Sequence, residues 1–414
     1  MTSMKKMTAA SFALLAMMVA WSSAAPKLKT MEELGKKLFF DKNLSTPPGQ
    51  SCAACHDPMA GWTGPLSATT LPGAVYEGAV KGRFGNRKPP ASAYAGASPI
   101  FHKDESGDFV GGMFWDGRAT GADWKDPLAE QAGGPFLNPL EQNNPDKKTV
   151  VLKVKNSDYA SLFAQVWNIK ADEWEKNVDK LYECIARSIA AYERSAESTA
   201  FSSKFDVFWK NAQGKKLTVE EISPSNWRSY ADLGLAPEEL KGLMLFNTKG
   251  KCSNCHTLKP GEKGTPPLFT DYSYDNLGVP KNPDNPFYAM GPQWNKDGKN
   301  WVDGGLGDFL KTQPHFANYA EVNMGKHKVP TLRNADVKPA AGFVKAFMHN
   351  GSIKSLKDVV HFYNTRDIGS FPPPEVAANI NKSELGNLGL TDEEENAVVA
   401  FMKALSDGFM PQGK

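Results

Sequence analysis

The sequence predicts a mainly α-helical fold of two similar domains in tandem, with long ordered loops between the helices. Three observations carry this. The 414 residues are 41% hydrophobic and 23% charged, a composition that folds, and at roughly 100–200 residues per domain the length suits two. A pattern also occurs twice: Gly35-Lys36-Lys37-Leu38-Phe39 precedes Cys52-Ala53-Ala54-Cys55-His56, and Gly242-Leu243-Met244-Leu245-Phe246 precedes Cys252-Ser253-Asn254-Cys255-His256, as in a duplicated unit. Finally, apolar residues recur at helical spacing with no run of alternating strands, while Gly 36 and Pro 29 assign much of the chain to turns and loops.

Residues 1–25 read as a secretory signal peptide. Lys5 and Lys6 precede an apolar stretch from Met7 to Trp21, and Ser22-Ser23-Ala24-Ala25 close it before Pro26. A spanning helix needs about 20 apolar residues, and neither this run nor any later one supplies them, so no membrane span is expected. The mature protein is expected in the periplasm or at the cell surface. Lys+Arg 48 against Asp+Glu 46 leaves +2, which Lys5 and Lys6 account for. A formally neutral mature chain argues against nucleic acid as a partner, because phosphate binding needs clustered positive charge.

The first domain, 26–225, opens with a helix for which Thr30 and Glu33 supply a capping box. A second helix is expected at Val178–Ser195, where Val178, Leu181, Cys184 and Ile185 share a face, making Cys184 a core thiol. The boundary is expected in the polar stretch Asn211–Asp232, and the second domain is 226–414. Its first helix starts at Pro237 with Glu238 and Glu239, residue types favoured at a helix N-terminus. Further helices are expected at Ser355–Asn364 and at Asp392–Leu405, the latter opened by Thr391 and Glu394. Glycine inside a helix costs about 1 kcal/mol relative to alanine, so Gly35 and Gly242 predict the close approach of another helix.

The two Cys-x-x-Cys-His pentapeptides are the attachment pattern of c-type haem. Two thiols one turn apart add to the two vinyl groups of one porphyrin, and the adjacent imidazole reaches the iron. Zinc would require four converging ligands and does not require histidine after the second cysteine. A thioredoxin-type pair would sit near a βαβ pattern, which is absent. The expected cofactors are two covalently bound haem c groups, anchored by Cys52, Cys55, Cys252 and Cys255, with His56 and His256 as proximal iron ligands.

The peptides Phe114-Trp115-Asp116-Gly117-Arg118-Ala119, Gln131-Ala132-Gly133-Gly134-Pro135, Asn138-Pro139-Leu140-Glu141 and Lys328-Val329-Pro330-Thr331-Leu332-Arg333-Asn334, with the two haem motifs, resemble the bacterial di-haem cytochrome c peroxidase and MauG family. The resemblance implies two cytochrome-c-like domains: an N-terminal haem that meets peroxide and a C-terminal haem that takes electrons. It implies that Glu141 is the distal acid, Gln131 its polar partner, Pro135 a residue packed over the same face, and Trp115 the tryptophan between the haems. It implies a methionine or tyrosine as sixth ligand of the C-terminal iron, for which Met324 is the local candidate, with Met290, Tyr319 and His327 competing. It also implies calcium between the domains, for which Asn86 is a loose match.

Two departures bear on chemistry. Many relatives block the N-terminal iron at rest with a histidine on the loop after the first motif, but Asp57 through Phe101 contains none, and His102 is the first candidate. An N-terminal iron that is open at rest is therefore expected. Where MauG has a tryptophan before its second haem motif, Gly250-Lys251 stand here. The leading expectation is a peroxidase that reduces hydrogen peroxide to water with electrons from a small cytochrome c or cupredoxin, as a monomer or homodimer. A MauG-like enzyme that oxidises Trp or Tyr side chains of a partner protein, and a non-enzymatic electron-transfer cytochrome, are the alternatives.

Overall fold

The computed structural model describes residues 30–410, so the expected signal peptide lies outside the described residues. The first haem motif follows helix α1 (residues 30–40), which packs across α5 (Val178–Glu193). The repeat recurs in three dimensions. α7 (Pro237–Asn247) precedes the second motif and packs across α10 (Asp392–Lys403). Both crossings are made at the repeated glycine. A Cβ on Gly35 would lie 1.9 Å from Ser188 O, and one on Gly242 would lie 1.9 Å from Ala397 O.

Between these pairs run α2 (Pro127–Leu137), α3 (Lys147–Lys155), α4 (Ala160–Trp167), α6 (Lys204–Gly214), α8 (Leu306–Lys311) and α9 (Leu356–Thr365). The described strands form two antiparallel pairs. β1 (His102–Lys103) pairs with β2 (Phe109–Val110), and β3 (Tyr274–Asp275) pairs with β4 (His327–Lys328). The mainly α-helical fold with long loops is thus present. The expected helices at Val178, Pro237, Ser355 and Asp392 are present, and the last three begin where their caps place them: Glu239 accepts from Ala236 N, Ser355 from Asp358 N, and Thr391 and Glu394 cap each other.

Helix α2 is absent from the sequence expectations because Gly133-Gly134-Pro135 argues against a helix. It forms because Asp126 caps it, accepting from Leu128 N and Ala129 N, with Pro127 at the first helical position. Its glycines leave room for rings, since a Cβ on Gly133 would meet Trp124 at 3.1 Å and one on Gly134 would meet Phe114 at 3.3 Å.

Each half has its own core. Leu34, Leu38, Phe39, Phe136, Ile185 and Tyr192 belong to the first, and Leu243, Phe246, Phe269, Val398 and Phe401 to the second. Phe205, Phe208, Ala212, Val219 and Ile222 pack in the second core. By packing, then, the change of core falls between α5 and α6, ahead of the boundary expected within 211–232.

Candidate functional site

Each haem motif forms one turn of 3-10 helix, Cys52–Ala54 and Cys252–Asn254, and the histidine amide closes it on the first cysteine: His56 N to Cys52 O 3.0 Å, His256 N to Cys252 O 2.9 Å. This turn brings both thiols and the imidazole to one side. The ring Nδ1 of His56 lies 3.3 Å from Trp62 O, and that of His256 lies 2.9 Å from Phe269 O. A carbonyl at Nδ1 fixes the tautomer that leaves Nε2 free as a ligand, an arrangement typical of metal-binding histidines. Burial lowers both imidazole pKa values, that of His56 to about 4, so each is neutral and able to ligate. None of the four motif cysteines is engaged in a disulfide, and burial would push the free thiols of Cys55 and Cys252 up to about 12.

The Lys328–Asn334 peptide holds the carbonyl side of the second site. Thr270 Oγ1 donates to Val329 O and Thr331 Oγ1 to Leu268 O, both 2.7 Å, so the peptide grips the strand segment that presents Phe269 O to His256. Arg333, fully buried, donates to Pro267 O and to both oxygens of Asp206 on α6.

A cavity opens over Cys252, Cys255 and His256, walled by Leu356, Val359, Leu385, Met402 and Met348. Its lining also includes Trp115, Asp303, His327, His349 and Glu375. His349 Nε2 and Glu375 Oε2 are buried there without a hydrogen-bond partner, and His327 Nε2 lies 3.4 Å from Asp303 Oδ1. A largely apolar cavity that holds a thiol pair, an imidazole and unpartnered polar atoms fits a haem.

Met324 does not line this cavity, and its sulfur packs instead at the place a Cβ on Gly307 would occupy. Met348 does line it. Its position became clear through a second repeat that sequence reasoning missed. In Met113–Ala119 and in Phe347–Ile353 the end residues form an antiparallel bridge, the second residue has positive φ (Phe114 65°, Met348 67°), and the fifth is a glycine with positive φ (Gly117 81°, Gly351 69°). One turn is thus built twice, presenting a phenyl ring in the first half and a thioether in the second. The shared signal was aromatic or imidazole, then Asp or Asn, then Gly, in Trp115-Asp116-Gly117 and His349-Asn350-Gly351. His102 is exposed on β1 with Nδ1 2.7 Å from Ile100 O, and it does not line the described cavity.

Gln131 lies on α2, and Glu141 lies in the turn that folds back from the C-terminal end of α2. Asn138 organises that turn: its Oδ1 accepts from Leu140 N at 2.9 Å and its Nδ2 donates to Glu141 Oε2 at 3.0 Å. Flanking loops clamp the backbone, with Ala79 N on Glu141 O at 2.7 Å and Thr46 N on Gln142 O at 2.8 Å. Burial raises the Glu141 pKa, with Arg118 and Asn138 opposing, and the carboxyl in turn raises the thiols of Cys52 and Cys55, so it stands beside the first motif. Phe114 is sandwiched on this side, with the Arg118 guanidinium 3.8 Å over its ring.

Trp115 sits between the halves. Its indole Nε1 donates to Lys88 O at 2.7 Å, its own carbonyl accepts from Lys328 N, and its ring meets His349 edge-on at 6.4 Å. His349 stacks on His327 at 3.6 Å. Beside them, Arg87 donates to both oxygens of Asp303 at 2.7 Å and to Asp116 Oδ2 at 2.6 Å. Burial would raise the Asp303 carboxyl, yet Arg87 and then His327 hold it well below the usual range. This donor set does not fit calcium next to Asn86: the carboxylates are already bound by a guanidinium, and the Lys88 ammonium lies alongside, on Thr63 Oγ1 at 3.0 Å. Arg87, Lys88, Asp303, His349 and Met348 were all missed from sequence.

The family model "Di-haem cytochrome c peroxidase" matches residues 29–214. Methylamine utilization protein MauG of Paracoccus denitrificans is 31% identical over 398 residues, covering 93% of this chain and 90% of the relative. Cytochrome c551 peroxidase of Pseudomonas aeruginosa is 26% identical, covering 86% and 78%. The crystal structure of the diheme peroxidase BthA from Burkholderia thailandensis aligns with a TM-score of 0.71 and 29% identity over 91% of this chain and 86% of that one.

Proposed function

Because the chain belongs to the di-haem cytochrome c peroxidase and MauG family, we propose that it reduces hydrogen peroxide to water outside the cytoplasm, with electrons from a small cytochrome c or cupredoxin. Among the described residues no helix is long and apolar enough to cross a membrane. When bound, the haem at His56 supplies an iron site for peroxide and the haem at His256 an entry for electrons. Two electrons and two protons convert one peroxide into two waters.

The observation that carries this reading is the clamped, half-buried Glu141 carboxyl beside Cys52 and Cys55, on the side where Phe114 stands. Glu141 takes a proton from one peroxide oxygen and returns it to the other, the task of a general acid–base. Asn138 orients the carboxyl through Oε2, and Gln131 supplies a neutral amide to the same face. Met348, which lines the second cavity, would offer its thioether to the haem held at His256, and a thioether ligand would raise the potential for accepting electrons. Trp115, packed against Lys88 and His349, lies on the electron path between the two sites.

Stopped-flow mixing of the holoprotein with peroxide and a reduced small cytochrome c tests this. Sustained peroxide consumption is expected, and Glu141→Gln should slow it about 10²–10⁴-fold, the usual range for a lost acid–base group. Two low-spin irons inert to peroxide would overturn it. The relative named MauG favours a second reading, oxidation of Trp or Tyr side chains on a partner protein. A long-lived oxidised state without turnover of the cytochrome would select that reading.

A further inference from the structure

Glu193, the last residue of α5, has no part in the chemistry above. It is 3% exposed, and its Oε2 has no hydrogen-bond partner. A buried carboxylate without a partner is costly, so such a group stays protonated or is aimed at something.

The internal repeat shows where it is aimed. A Cβ on Gly35 would meet Ser188 O and Tyr192 Cβ, and one on Gly242 would meet Ala397 O and Phe401 Cβ. The two crossings therefore superpose Ser188 on Ala397 and Tyr192 on Phe401. The next residues are Glu193 and Met402, and Met402 lines the cavity over Cys252, Cys255 and His256. Glu193 accordingly takes the matching place over the first motif. The field at Cys52 agrees: after burial itself, the Glu193 carboxyl is the largest influence raising that thiol. The equivalent place thus carries a thioether in the second half and an acid in the first.

We propose that Glu193 is a proton-holding residue of the N-terminal haem pocket: a neutral acid facing the Cys52 edge that regains its proton when that haem is reduced and loses it when the haem is oxidised. The proposal rests on haem attachment at Cys52, Cys55 and His56 and not on peroxide as substrate. On reduction the haem gains one electron from the redox partner, and one proton from solvent settles on Glu193. On oxidation both leave. In peroxide reduction this would supply a proton beyond the one Glu141 moves between the two oxygens.

The charges around Glu193 leave it free to do this. Arg194, its neighbour, is committed to both oxygens of Asp126 on the α2 cap, and Lys36 of α1 is paired with Glu197. Arg187 is paired with Glu183. Among the described residues no cation forms an ion pair with Glu193. Burial pushes its pKa up to about 8, Arg194 pulling back and Asp126 adding to the rise.

The test is a spectroelectrochemical titration of both haems in the holoprotein from about pH 6 to pH 9. The midpoint of the N-terminal haem should fall with rising pH, approaching ~59 mV per tenfold change in proton activity for one electron, while that of the C-terminal haem stays level. In Glu193→Gln the N-terminal slope should vanish. A level N-terminal potential in the wild type, or an unchanged slope in Glu193→Gln, overturns the proposal. Should that variant fail to take up haem, the redox difference infrared spectrum decides. A protonated-carboxyl band that changes on reduction of the N-terminal haem and persists in Glu141→Gln supports Glu193, and its loss in Glu141→Gln overturns it. Absence of peroxide turnover would defeat the peroxidase reading and leave these measurements standing.

Discussion

Phe114 and Met348 occupy one position in two copies of the same turn, and under the proposed function the difference between a phenyl ring and a thioether would set what each haem could do. A ring cannot ligate, so a haem held by His56 would keep a free position for peroxide. A thioether can, so a haem held by His256 would be suited to electron transfer. Phe114→Met should therefore make the N-terminal haem six-coordinate, seen as loss of its high-spin bands and of cyanide binding. Met348→His should lower the potential of the C-terminal haem, while Met324→Ala should leave its spectrum and potential unchanged, because Met324 packs against Gly307. The thiols and histidines were legible in the sequence because covalent attachment is local: five residues carry the whole geometry. The candidate sixth ligand was not, because only the fold shows which methionines, Met348 and Met402, line the cavity over His256.

At the scale of elements, the glycine crossings fix how each half is assembled. Gly35 and Gly242 let a helix backbone approach its partner so closely that a methyl group has nowhere to go, since the obstacle is a backbone carbonyl at 1.9 Å. Gly35→Ala and Gly242→Ala should each cost about 1–3 kcal/mol by overpacking, measured as a fall in urea midpoint without loss of slope. Gly214→Ala, with nothing within 4 Å of its Cβ, should be neutral and serves as the control. These crossings were legible because glycine in a helix is conspicuous when it recurs. Helix α2 was not, because its Gly133-Gly134-Pro135 run opposes a helix locally, and the Asp126 cap together with the packing of Trp124, Tyr182 and Phe114 against it compensates. The element that bears Gln131 and leads into Glu141 is the one whose local sequence conflicts with its fold, as is common where structure serves a site.

For the whole molecule, the question is what locks the two halves in one orientation around Trp115. Arg87 comes from the loop after the first motif and Asp303 from the second half, and they meet with Asp116 in a buried cluster against His327. Lys345 adds a second bond between the halves, donating to Ala60 O as well as to Asn334 O and Val337 O. No sequence signal marked Arg87, Asp303 or Lys345, because their pairing exists only once distant segments are folded together. Arg87→Ala removes the guanidinium from buried Asp303, leaving only His327 beside it, while Asp116 keeps Arg118, and breaking a buried pair in this way typically costs about 3–5 kcal/mol. The pH dependence follows from the depressed Asp303 carboxyl. Its contribution is present above the unfolded aspartate value of about 3.9 and is lost as pH falls through its lower folded value. In the variant the same carboxyl is penalised while charged and relieved when protonated. The stability gap between wild type and Arg87→Ala should therefore be widest near neutral pH and close on acidification below about pH 4, as urea titrations at several pH values would show. A gap independent of pH would mean that Arg87 acts through packing of its side chain and not through its charge.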